Sequence, residues 1–178
     1  TAARIAALYA TADLTPLDVT RRAIDASHRL ASLKPSMGPM LFLDEERAMR
    51  DAEVSGRRIR EGAARSALEG IVVPVKEEVD LDGQGYRLGR AIAARTDAVD
   101  ATAVRKLRAA GAIVLGHTVM TEFGMSPLGT STRRLLPRNE VRADCLAGGS
   151  STGSAVAVAT GLCPIALGSD GGGSIRTP

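Results

Sequence analysis

Ser174 stands directly after Gly171, Gly172 and Gly173, in the run SDGGGSIR. Consecutive glycines let backbone N–H groups point into one concavity. Such a nest binds an anion, either a phosphate or the oxyanion of an acyl-transfer intermediate. A serine beside it can serve as nucleophile if a base is near. A second Gly/Ser turn, GGSSTGS over residues 148–154, opens a helix-like run. At the level of spacing alone, two tight turns that pack closely remain the plain alternative.

The base is sought among few candidates. His28 sits on a helix among Arg21, Arg22 and Arg29 and reads as a surface residue, and His117 follows an apolar strand and reads as structural. A Ser-His-Asp triad is therefore disfavoured. Ser-Lys chemistry is the other route. Lys34 lies in a loop-like stretch and Lys106 on a basic helix face, whereas Lys76 alone lies inside an apolar strand-like run. Burial disfavours the charged form of a lysine, which is what a lysine base needs. Glu77 and Glu78 follow it and offer a simpler role, that of ion-pair partners. For phosphate, Gly148 and Gly153 have P-loop spacing, but Ser154 stands where the lysine belongs. Gly83, Gly85 and Gly89 miss the dinucleotide spacing by one.

The composition bounds the rest. The 178 residues are 44% apolar and 24% charged, as in a one-domain globular protein. Aromatics are 2%, so the core must be aliphatic. The formal charge of +3 comes from basic residues interleaved with acidic ones, which reads as solvated helix faces rather than a nucleic-acid surface. Cys145 and Cys163 fit neither a metal site nor a disulfide framework, and point to a reducing, cytoplasmic setting. No apolar run approaches the roughly 18 residues that span a bilayer, and no signal pattern opens the chain.

Positioning these residues requires an alternation of helices and strands. Residues 2–11 read as a helix. A second follows Thr15 as N-cap, with Pro16 at its first position and Asp18 in its first turn. PMLFLDE is a short strand, and Asp44 caps a charged helix over about 45–62. IVVPVK is a strand with an irregular end at Pro74. Residues 101–111 form an amphipathic helix, AIVLG a buried strand and LCPIALG another short strand. This alternation argues for α/β layers.

Three ordered segments then carry a resemblance. GGSSTGSAVAVATGLCPIALGSDGGGSIRTP closely resembles the amidase signature. VPVKEEVDLDG resembles that family's lysine segment, and DATAVRKLRAAGAIVLGHTVMTEFGM the helix and strand between them. The likeness is strong over residues 70–178 and looser before. It implies a mixed sheet flanked by helices. It further implies the N-terminal part of one longer domain, incomplete at the C-terminus, with 1–66 as helical lead-in and 67–178 as catalytic core segments.

The resemblance also implies a Ser-cisSer-Lys triad, with Ser174 as nucleophile, Ser150 as relay behind a cis peptide and Lys76 as base. The amides of Gly171, Gly172 and Gly173 would form the oxyanion hole. Gly124 and Met125, with Ser150, align with the substrate-binding loop. Ser151 would contact the lysine or cap the helix, and Asp170 and Arg176 would pair to hold the serine turn. The implied reaction is hydrolysis of a carboxylic amide through an acyl-serine, with no metal or organic cofactor. The expected partner is a small-molecule amide, without nucleic acid or membrane, and a homodimer is compatible with the sequence.

Two departures stand out. Gly171 replaces a common Thr, and LLPRNEVRADCLAGG lacks the usual Asn-Pro-Trp before GGSS. The rival readings are a component resembling the A-type subunit of glutamyl-tRNA amidotransferase and, further off, a phosphate- or nucleotide-binding module.

Overall fold

A computed structural model describes residues 1–85, 87–90 and 97–178. Among them the helices are α1 (Ala2–Ala10), α2 (Pro16–Ser32), α3 (Glu45–Arg60), α4 (Thr102–Ala109) and α5 (Thr152–Ala159). The strands are β1 (Met40–Leu43), β2 (Val72–Lys76) and β3 (Ile113–Thr118).

Local chemistry sets most boundaries. Thr15 accepts from the Asp18 amide through Oγ1, while Asp18 accepts from the Thr15 amide, closing a reciprocal cap ahead of Pro16. Helix α3 opens on Asp44 with Glu45 and Glu46 in its first turn and Arg57, Arg58 and Arg60 in its last, the order that suits the helix dipole. It stops at Arg60, short of the expected end. Gly62 takes φ +68°, and the Ala63 amide reaches back to the Arg58 carbonyl at 2.8 Å, which closes the helix.

The sheet runs β1-β3-β2, with β2 parallel and β1 antiparallel to β3. It is mixed, as the resemblance implied, and strand β1 of the N-terminal segment is part of it. Alternation along the strands divides the core by face. Val72, Ile113 and Leu115 pack with Ala23 and Ile24 of α2, Ala48 and Ala52 of α3 and Ala157 of α5. Val75 and Val114 pack on the other face with Val104 of α4 and with Leu81. Helices therefore cover both faces, and both clusters are aliphatic. The buried Tyr9 of α1 packs with Ile71, Val73 and Ala112 and donates its hydroxyl to the Gly70 carbonyl at 2.9 Å.

The expected strand over LCPIALG reduces to one parallel bridge, Leu167 to Val75. The Leu167 amide donates to the Pro74 carbonyl and the Lys76 amide to the Leu167 carbonyl, both at 2.9 Å. The next bond of such a ladder would need an N–H at Pro74, which proline lacks. That single bridge is nevertheless what carries the chain from Leu167 past the end of β2 and into the serine turn.

Candidate active site

Lys76 is the last residue of β2 and shares the strand face of Val72, the face toward α5. It is fully buried. Its Nζ lies 2.8 Å from Ser150 Oγ, 2.8 Å from Ser169 Oγ and 3.3 Å from Glu78 Oε1. Burial pushes its pKa below the ordinary lysine value; the carboxylates of Glu78, Asp170 and Glu77 push the other way and do not cancel it.

Ser150 is delivered by the first Gly/Ser turn. The Gly149–Ser150 peptide is cis. The Gly149 amide donates to the Pro127 carbonyl at 2.9 Å and the Thr121 amide to the Ser150 carbonyl at 3.3 Å, which ties the turn to the chain leaving β3. This turn is filled by protein. A Cβ at Gly148 would meet Pro178 Cα at 2.8 Å, and one at Gly149 would meet the Ser126 carbonyl oxygen at 2.8 Å. Gly153, one turn on, lets α5 approach the backbone of Pro39 and Val119, where a Cβ would sit 2.4 Å from the Pro39 oxygen.

The second turn is built differently. A Cβ at Gly171 or Gly172 would meet nothing within 4 Å. Asp170 organises the turn. It accepts from the Gly173 amide at 2.6 Å and the Ile175 amide at 3.2 Å, and from Arg176 through two bonds of 2.9 and 3.0 Å. These partners hold its carboxyl well below the usual carboxylate range, Arg176 foremost. Ser174 is half-buried, and the Ser151 amide donates to its carbonyl at 3.1 Å. Ser150, Ser174, Gly124, Met125, Phe123 and Glu78 line one cavity of about 720 Å³. Among the described residues, the two serines share that cavity without a hydrogen bond between their side chains.

The model of one protein family, Amidase, matches residues 21–178. The chain belongs to the amidase family. It is similar to fatty acid amide hydrolase of Arabidopsis thaliana, with 38% identity over 92% of this chain and 27% of that protein. It is also similar to the A-type subunit of glutamyl-tRNA(Gln) amidotransferase from Symbiobacterium thermophilum, with 34% identity over 99% of this chain and 36% of that one. Its fold matches the solved peptide amidase of Stenotrophomonas maltophilia at a TM-score of 0.89 and 30% identity, over 98% of this chain and 37% of that chain. The chain thus spans about a third, 27–36%, of the length of these curated relatives.

Two neighbours of the site, Ser169 and Arg134, were not singled out in the sequence. Ser169 touches Lys76 only because the Leu167 bridge brings it there. Ser151 uses its hydroxyl on Ser169 rather than on the helix end or the lysine, donating to the Ser169 carbonyl at 3.2 Å and accepting from its amide at 3.4 Å. Glu77 turns away from Lys76. Its Oε1 accepts from the Met120 amide and from Arg134, both at 2.9 Å, and burial raises its pKa. Arg134 also donates to the Arg90 carbonyl, so this pair joins four stretches of chain, around residues 77, 90, 120 and 134.

The remaining residues weighed for chemistry lie elsewhere. His28 is exposed beside Glu45, and His117 is buried with its ring nitrogen 2.9 Å from the Val79 carbonyl. Lys34 and Lys106 are exposed. Burial pushes the Cys163 thiol up to about 12. Among the described residues no group of His, Cys, Asp and Glu is placed to hold a metal ion, and no helix is long and apolar enough to cross a membrane.

Proposed function

We propose that these residues supply the nucleophile, relay and base of an amide hydrolase acting through an acyl-serine. The observation that carries this reading is the buried contact of Lys76 Nζ with Ser150 Oγ at 2.8 Å, beside a cavity that Ser174 also lines. Lys76, neutral, takes the Ser150 proton; Ser150 takes that of Ser174; and Ser174 Oγ attacks the amide carbonyl carbon. The two serine hydroxyls come within bonding range when substrate closes the cavity, since such contacts are often loose in an unliganded enzyme.

The oxyanion is received by the open amides of Gly171 and Gly172. The Gly173 amide was expected in the same role, but it donates to Asp170, so its part is to shape the turn. Losing one oxyanion donor typically costs about 10²–10³ in rate. The relay returns the proton to the leaving nitrogen, the C–N bond breaks, and water releases the acid from Ser174. No cofactor takes part. Met125 and Gly124 line the same cavity and would receive the acyl group.

The test is a serine-directed fluorophosphonate applied to the full-length gene product, with the adduct mapped by peptide mass. An adduct on Ser174 that is absent from Ser174→Ala and Lys76→Ala supports the reading, and a folded protein that stays unlabelled overturns it. The match to an A-type amidotransferase component over 99% of this chain favours one second reading. In that case glutamine hydrolysis would appear only on adding the other components of such an amidotransferase.

A further inference from the structure

We propose that Glu78 is a positioning residue for Lys76, holding the Ser169 O–H so that Ser150 is left as the hydroxyl able to hand its proton to the amine. This rests on the amidase reading of Lys76 as base. Three oxygens surround Nζ: Ser150 Oγ and Ser169 Oγ at 2.8 Å and Glu78 Oε1 at 3.3 Å. The Ser169 hydroxyl donates to the same Glu78 oxygen. A hydroxyl has one proton, and a carboxylate only accepts. With its proton committed to Glu78, Ser169 offers Lys76 lone pairs alone. A neutral amine has two N–H groups and one lone pair. The two N–H groups go to Ser169 and Glu78, which can only accept, and the lone pair is left facing Ser150 Oγ–H. Without Glu78, Ser169 is free to donate to the amine and compete with Ser150 for that lone pair.

The same placement sets an electrostatic balance. A carboxylate 3.3 Å from the ammonium favours the charged lysine, while burial disfavours it. Among the described residues, the other charged groups near enough to act on Lys76 are Glu77, turned away and held by Arg134, and Asp170, held by Arg176; α5 and the turn before it bring only hydroxyls. Glu78 is the carboxylate in direct contact with the amine, and it lines the cavity.

The experiment follows the rate of fluorophosphonate labelling at Ser174 against pH in the full-length gene product, for wild type, Glu78→Gln and Glu78→Asp. Removing the charge lowers the pH at which Lys76 becomes neutral. Glu78→Gln is expected to move the acid limb to lower pH by roughly 1–3 units and to lower the plateau, because a glutamine amide can take or give a proton to Ser169. Glu78→Asp, which keeps the charge one methylene further away, is expected to move the limb less and recover the plateau in part. A merely structural role would change yield or stability but leave the limb in place. A labelled wild type with an unmoved limb in either folded variant overturns the Glu78 assignment alone. A wild type that never labels overturns the amidase reading and this assignment with it. Loss of folding in both variants also overturns it, since the carboxylate would then be a requirement of the fold.

Discussion

Lys76 has hydroxyl and carboxylate oxygens around it, yet burial still holds its pKa below the ordinary 10.5. A base that acts as the neutral amine gains activity as pH rises toward its pKa from below. The labelling rate at Ser174 is therefore expected to climb with pH, with its midpoint below 10.5, and Lys76→Ala to stay unlabelled across the range. Ser174 itself contributes little to the fold. It is half-buried, so Ser174→Ala is expected to abolish the adduct while changing the unfolding free energy by less than about 0.5 kcal/mol in urea titrations. Ser174 and Lys76 stand out in the sequence because one sits in a glycine-dense turn and the other in a strand-like run, whereas Ser150 is singled out only through the family resemblance. Ser169 and Arg134 do not stand out. One depends on a single long-range bridge and the other on a buried partner 57 residues away, and neither leaves a local pattern.

At the level of elements, α5 is the part whose placement the site depends on most. Gly153 is the reason it can lie against the backbone of Pro39 and Val119. In Gly153→Ala the new methyl faces backbone atoms at 2.4–2.8 Å, which cannot swing aside as a side chain could. The gain in helix propensity, about 1 kcal/mol in a helix interior, is smaller near a helix start. Overpacking costs about 1–3 kcal/mol. A net loss of stability is expected in urea titrations, together with slower labelling of Ser174, because Ser150 moves with the helix. Caps made α2 and α3 readable, as at Thr15 and Asp18, where both halves of the reciprocal cap are local, periodicity did the same for α1 and α4, and α5 shows only as a small-residue run after a Gly/Ser turn. The strand expected over LCPIALG was not readable as a single bridge. Its apolar residues fit a strand, but whether it pairs is decided by Pro74 on another strand. Strand order, likewise, is a long-range property that no window of sequence contains.

Across the whole molecule, the apolar surface is uneven. Phe123, Met125, Leu128 and Leu135 are more than half exposed along one irregular stretch between β3 and α5, next to the cavity. Exposed apolar area of this kind binds hydrophobic dyes and marks surfaces that meet ligand or protein. The 178-residue chain is expected to bind such a dye, and a variant with Phe123, Met125 and Leu128 changed to Ser to bind less at unchanged helix content by circular dichroism. One backbone bond links this surface chemistry to a clock that can be read from outside. The amide of Ser151, the residue that enters α5, donates to the carbonyl of Ser174, the proposed nucleophile. Its deuterium uptake therefore times each excursion of the serine turn away from the helix. Slowed uptake at that one amide on acylation would register the turn becoming fixed, without any chromophore and without watching the substrate at all.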